Sequence, residues 1–147
     1  MSILKKTLIA SAALALPFSV SANAKLEKMM QDPNQWVQQS GNYAGERYTE
    51  LDQINKSNVG SLKVAWTFST GVLRGHEGGP LVIGDVMYVH TAIPNIVYAL
   101  DLNDNQKIIW KYNPVKGGKY PGGETMDRVI SVMCCDNVNR GVNYHPN

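Results

Sequence analysis

Short runs in which apolar and polar residues alternate dominate the pattern of this chain, and they predict strands rather than helices. The first is Leu62–Ser69, where every second residue is large and apolar: Leu62, Val64, Trp66 and Phe68. A period of two places such residues on one face of an extended segment. We therefore predict a strand over Leu62–Ser69 with one apolar face.

Further apolar runs follow at regular spacing. After a short predicted helix at Leu26–Met30, they lie at Pro80–Ile83, Val86–Thr91, Asn95–Leu102 and Lys107–Tyr112. Gly84-Asp85 separates the first two of these as a hairpin signal. Strands that recur about every 8–12 residues with turn signals between them are typical of an all-β sandwich, barrel or propeller.

One hairpin favours the propeller among these folds. Ala99-Leu100-Asp101-Leu102 ends one predicted strand, and Trp110 lies in the next. The aspartate can accept hydrogen bonds from the turn, and the tryptophan can insert between neighbouring sheets. The alternative is an ordinary hairpin with a core tryptophan, since a repeat is usually recognised from about three copies. We expect an all-β chain forming part of a propeller.

The N-terminus has the pattern of a secretory signal peptide over Met1–Ala24. Lys5 and Lys6 supply the positive region, Thr7–Val20 the apolar region, and Ala22-Asn23-Ala24 an A-x-A cleavage site. The apolar region is shorter than the about 20 residues that a transmembrane helix needs. The alternative is an uncleaved anchor. We predict export, with residues 25–147 as the mature portion of a propeller domain and no membrane span.

The charge and length of the chain restrict the classes of protein to which it can belong. The formal net charge of the 147 residues is +2, and both signal-peptide lysines contribute to it. The mature chain is therefore close to neutral, which argues against a nucleic-acid-binding protein, because such a protein needs a basic face. The chain stops just after a motif-rich stretch with no closing element. We expect it to be the N-terminal portion of a larger β protein.

The only two cysteines, Cys134 and Cys135, are adjacent. Neighbouring Cα atoms lie about 3.8 Å apart, below the usual disulfide span of about 4.4–6.8 Å. A bond between them would close a small, rigid ring with a flat face. The alternative is two reduced thiols packed as small apolar side chains. Export to an oxidising compartment makes the bond plausible.

Two other segments have candidate binding residues. The glycine-rich stretch Gly71–Pro80 includes Arg74, His76 and Glu77, and glycine lets a backbone approach a ligand closely. The alternative is a solvated turn. We do not expect His76 to bind a metal, because no second His or Cys lies at ligand spacing. Before the cysteines, Lys116–Ser131 has the composition of an exposed loop.

Arg140 lies five residues after Cys135. Its planar guanidinium suits carboxylates, so a flat disulfide with this arginine nearby suits a flat cofactor with acidic groups. The alternative is a surface salt bridge between Arg140 and Asp136.

With these motifs the sequence resembles the N-terminal part of the pyrroloquinoline quinone (PQQ)-dependent methanol dehydrogenases, from about Trp36 to Tyr144. The most specific stretches are Arg-Gly-His-Glu-Gly at 74–78 and Cys-Cys-Asp-x-Val-Asn-Arg-Gly at 134–141. The run Asn95–Leu102, together with Val132-Met133, is more similar to the lanthanide-dependent branch of the family than to the calcium branch.

The resemblance implies an eight-bladed β-propeller in the periplasm that oxidises methanol and other primary alcohols with PQQ and passes electrons to a cytochrome c. It implies that the cofactor rests on a disulfide between Cys134 and Cys135, that Glu77 hydrogen-bonds it, and that Arg140 pairs with one of its carboxylates. It also suggests that Leu62–Ser69 pairs with the last blade and closes the ring.

The resemblance further implies a bound lanthanide ion, with calcium as the alternative. The family's metal ligands and catalytic aspartate lie beyond the matching segment, so no catalytic or metal-binding residue is assigned in this chain. We expect the full-length protein to be a homo-oligomer. The alternatives are a quinoprotein acting on other alcohols or sugars, and a secreted propeller without catalytic activity.

Overall fold

The computed structural model describes residues 23–114, 132, 134, 135 and 138–146. Two predicted segments therefore fall outside the described residues: the signal peptide, except for its last two positions, and the loop Lys116–Ser131.

The predicted N-terminal helix is confirmed as α1, Ala24–Met30. The side chain of Asn23 caps it by accepting a hydrogen bond from the backbone N–H of Leu26 at 3.1 Å, which satisfies one of the free donors of the first turn. After the helix, hydrogen bonds from the Gln35 side chain and the Asn34 backbone lower the pKa of the Asp32 carboxyl, because they stabilise its charged form.

The described residues contain one four-stranded antiparallel sheet with its strands in sequential order. The strands are β1 Leu81–Ile83, β2 Val86–His90, β3 Val97–Asp101 and β4 Lys107–Tyr112. Four of the five strands predicted from the sequence are thus confirmed, with small shifts at their ends. Trp36 extends the β1 edge through a pair of backbone hydrogen bonds with Val82. A short 3₁₀ turn, Val59–Ser61, lies in the segment before the sheet.

The core lies mainly on one face of β2 and β3. Buried side chains of Ile96, Tyr98 and Leu100 form its centre, and four partly buried residues pack against them: Phe68, Val72, Met87 and Val89. The Tyr98 hydroxyl donates to the carbonyl of Thr70 at 2.8 Å. The loop that leads to Glu77 is therefore attached to the sheet by both apolar packing and a hydrogen bond.

The prediction of a strand at Leu62–Ser69 is wrong for the described part of the chain. This segment forms no ladder there, and Val64 is 81% exposed. Alternation indicates which residues share a face, but a strand also needs a neighbouring edge that accepts its backbone hydrogen bonds. The described sheet runs from β1 to β4 and does not include this segment.

The β1–β2 turn depends on a glycine conformation. Ile83 pairs with Val86 across Gly84-Asp85, and Gly84 has a φ of 57°, as at the first central position of a type II′ turn. We expect Gly84→Ala to lower the free energy of unfolding by about 1 kcal/mol, because a left-handed backbone is unfavourable for a residue with a Cβ atom.

Gly60→Ala is the matched control for this prediction in chemical denaturation. An added Cβ at Gly60 meets no atom within 4 Å, and its φ is not in the left-handed region. A loss of stability at Gly60→Ala equal to that at Gly84→Ala would show that the turn conformation is not the cause.

Candidate functional site

Glu77 and Arg140, the two charged residues among the four predicted cofactor-binding residues, are in direct contact. Nη2 of Arg140 lies 3.5 Å from Oε2 of Glu77, and the two side chains are 77% and 48% exposed. An ion pair this exposed contributes only about 0–1 kcal/mol to stability. The pair therefore contributes little to the fold, and its polar atoms remain accessible to a ligand.

A close approach between backbone and side chain positions the Glu77 side of the contact. Gly78 packs directly against the imidazole of His90, at the end of β2, and a Cβ at position 78 would overlap the Nε2 and Cε1 atoms of that ring. The same Cβ would lie 2.9 Å from the carbonyl oxygen of Arg140. Glycine is therefore required next to Glu77, because any side chain would separate the two segments.

The Arg140 side of the contact is attached to the sheet and to the N-terminal region. His90 Nε2 lies 2.9 Å from the backbone carbonyl of Asn139, and the Asn139 side chain accepts from the N–H of Gly141 at 3.1 Å. A Cβ at Gly141 would lie 2.7 Å from the side chain of Gln39. The segment that contains Arg140 is thus packed between β2 and the region after α1.

His76 stabilises its own loop. Its Nδ1 lies 2.7 Å from the carbonyl oxygen of Arg74, and its Nε2 lies 3.3 Å from the hydroxyl of Thr70. Because the carbonyl can only accept, Nδ1 is the donor. Within the described ranges, no three His, Cys, Asp or Glu side chains come together as a metal site would require.

Cys134 and Cys135 are joined in a disulfide. Both residues are exposed, and Cys135 has a φ of 63°. The alternative of two reduced, buried thiols is therefore not what the structure shows. The other alternative, a salt bridge between Arg140 and Asp136, lies outside the described residues, whereas the contact of Arg140 with Glu77 lies within them.

The sequence alone did not identify the residues that position this site. His90 was predicted only as one member of a strand, and Gly78 and Asn139 only as members of motifs. One signal was available: a histidine ending an apolar strand must find a hydrogen-bond partner if it is buried. Its partner could not be named, because it lies 49 positions away along the chain.

The donor set fits a flat, acidic cofactor. An accessible guanidinium can bind a carboxylate through two parallel hydrogen bonds, and the neighbouring carboxylate of Glu77 can accept from a polar ring atom. The glycines at 78 and 141 pack against the side chains of His90 and Gln39, which holds the segments that contain Glu77 and Arg140 close to the sheet. The disulfide of Cys134 and Cys135 is likewise exposed.

Comparison with known proteins identifies the class. Residues 36–147 match the family described as PQQ, the glucose/ethanol/alcohol dehydrogenase β-propeller domain. The chain belongs to this family, and the prediction of a β-propeller fold is confirmed. The four-stranded sheet of β1–β4 has the strand number and order of a propeller blade.

Individual members of the family show which of its enzymes this chain resembles. The chain is 55% identical to the lanthanide-dependent methanol dehydrogenase of Methylorubrum extorquens over 90% of its own length and 21% of that protein. It is 47% identical to methanol dehydrogenase (cytochrome c) subunit 1 of Paracoccus denitrificans, over 86% of this chain and 18% of that one.

A solved structure, a europium-containing methanol dehydrogenase, superposes with a TM-score of 0.75 at 52% identity, covering 84% of this chain and 20% of the other. The chain spans about a fifth of the length of these proteins. Among its described residues, no helix has the length and apolar character needed to cross a bilayer.

Proposed function

We propose that this chain forms the N-terminal part of a PQQ-dependent dehydrogenase that oxidises methanol and other primary alcohols and passes the electrons to a cytochrome c. The contact between Glu77 and Arg140 is the main support, because it joins the two charged residues of the family motifs on an accessible surface. The similarity to lanthanide-dependent methanol dehydrogenases supports a lanthanide ion, rather than calcium, as the second cofactor.

The described residues would bind and orient the cofactor. Arg140 would pair with a PQQ carboxylate, Glu77 would accept a hydrogen bond from the ring system, and the disulfide of Cys134 and Cys135 would support one face. PQQ, when bound, supplies an electrophilic ortho-quinone that takes up hydride from the alcohol. The role of this chain is therefore to hold the cofactor in one orientation.

Export to the periplasm is part of the proposal. It is supported by the N-terminal pattern and by the disulfide, because disulfides persist in oxidising compartments. Cleavage after Ala24 would remove Asn23, the residue that caps α1. Intact-mass analysis of the periplasmic protein should find Lys25 as the first residue, and retention of the first 24 residues would contradict the cleavage.

The function can be tested with holoprotein prepared with PQQ and either lanthanum or calcium. We expect bound PQQ, detected by absorbance, and methanol-dependent reduction of cytochrome c that is greater with lanthanum. A preparation that retains neither PQQ nor metal would contradict the enzyme and favour a propeller without catalytic activity. Turnover of sugars or larger alcohols, without turnover of methanol, would favour a different quinoprotein dehydrogenase.

The disulfide can be tested separately. Without reductant, an alkylating reagent should label neither Cys134 nor Cys135, as measured by mass spectrometry. Cys134→Ser/Cys135→Ser should weaken PQQ binding about tenfold, because a rigid preformed surface would be replaced by two mobile side chains. Ser61→Ala, at an exposed position in the 3₁₀ turn, is the control. Labelling of both thiols in protein that binds PQQ normally would exclude the disulfide platform.

A further inference from the structure

His90 is a buried residue with an unusual polar environment. The residue is 4% exposed, and Nε2 must donate to the Asn139 carbonyl at 2.9 Å, since a carbonyl can only accept. The other ring nitrogen, Nδ1, is buried and has no hydrogen-bond partner among the described residues. A buried polar atom without a partner is unfavourable.

The same ring contacts both segments of the candidate site. On one side it lies against Gly78, which directly follows Glu77. On the other it binds the carbonyl of Asn139, which directly precedes Arg140. Each contact is thus one residue away from a member of the Glu77–Arg140 ion pair. His90 itself belongs to β2 and pairs with Val97 of β3, so it provides a fixed reference for both segments.

We propose that His90 is a positioning residue: its Nε2–H holds the Asn139–Gly141 backbone against the Gly78 backbone and thereby places the Arg140 guanidinium where it binds a cofactor carboxylate. This inference rests on the proposed function, because it assigns the cofactor contact to Arg140. Loss of the donor would leave the Asn139 carbonyl without its partner and allow the segment to move. In enzymes, a misplacement of about 1 Å can lower the reaction rate by as much as about 100-fold, so the position of the guanidinium matters for function.

Two substitutions at His90 distinguish the effect of losing the Nε2–H donor from the effect of losing the ring itself. His90→Gln keeps a terminal N–H at about the reach of Nε2, whereas His90→Met has a similar length but no donor. In titrations of the complete apoprotein with PQQ, followed by absorbance, we expect His90→Gln to bind within about threefold of wild type. We expect His90→Met to bind about tenfold more weakly, with both variants retaining wild-type circular dichroism.

A double-substitution cycle tests whether His90 acts through Arg140. Because the two residues would share one interaction, His90→Met should have little further effect on PQQ affinity in an Arg140→Gln background. Full additivity, or equal loss of affinity in His90→Gln and His90→Met, would overturn the proposal. If Arg140→Gln alone leaves the affinity unchanged, the proposed cofactor site itself fails, which is a separate result.

Gly78→Ala provides a second test of the proposal and leaves His90 in place. The added Cβ must displace either the imidazole or the Arg140 carbonyl, so we expect PQQ affinity to fall about fivefold or more. This variant decides the question if His90→Met does not fold. Wild-type PQQ affinity in Gly78→Ala would then overturn the proposal.

Discussion

Leu100→Ala is expected to lower the free energy of unfolding by about 3 kcal/mol, within the usual range of about 2–5 kcal/mol for such a change in a core. Leu100 is fully buried in β3 and belongs to the cluster formed with Ile96 and Tyr98. Its strand is paired on both sides, so the surrounding side chains have little freedom to fill the cavity. The loss should appear as a lower midpoint in urea denaturation followed by circular dichroism.

The control makes the same substitution at an exposed leucine. Leu73 lies in the loop before Glu77 and is fully exposed in the structure, so Leu73→Ala should change the free energy of unfolding by no more than about 0.5 kcal/mol. Similar midpoints for the two variants would show that Leu100 is not part of the core described above.

Arg140→Gln is expected to weaken PQQ binding about 10- to 100-fold, because a hydrogen bond to a charged group contributes about 1.5–3 kcal/mol and each 1.4 kcal/mol corresponds to a factor of ten. The same change should alter the free energy of unfolding by less than about 1 kcal/mol, since the Glu77–Arg140 pair is exposed. Titration of the complete apoprotein with PQQ and urea denaturation measure the two quantities.

Two further variants make this result specific. Arg140→Lys should be intermediate in PQQ affinity, because it keeps the charge but loses the planar fork. Arg47→Gln removes the same charge at an exposed position and should leave PQQ affinity unchanged. Equal weakening by Arg47→Gln and Arg140→Gln would indicate a general charge effect. A stability loss in Arg140→Gln as large as that in Leu100→Ala would indicate a structural role instead.

Leu100→Ala should lower stability and Arg140→Gln should lower PQQ affinity, because Leu100 and Arg140 lie in different parts of the structure. The core on β2 and β3 stabilises the sheet, whereas the candidate site is formed by two segments that pack against the end of β2. Gly78 and the Asn139 carbonyl meet at one side chain, His90. A substitution in the site can therefore change ligand affinity while the sheet remains folded.

Residues that are close along the chain account for the local structure of the sheet. Apolar runs between turn residues predicted β1–β4, and Gly84-Asp85 predicted the first turn, because both depend on residues that are close along the chain. Short motifs also identified Glu77, Arg140 and the cysteine pair as candidates for cofactor binding. Leu62–Ser69 forms no ladder among the described residues, since a period of two does not specify a partner edge for the strand.

The contacts among the candidate binding residues depend on how distant segments of the chain pack together. Glu77 and Arg140 belong to segments far apart along the chain, and their 3.5 Å contact depends on how both segments pack on the sheet. The role of His90 was hidden for the same reason, because its partner Asn139 is 49 positions away. Hydrogen bonds and ion pairs act over a few ångströms in space, whereas periodicity and motifs describe only neighbours along the chain.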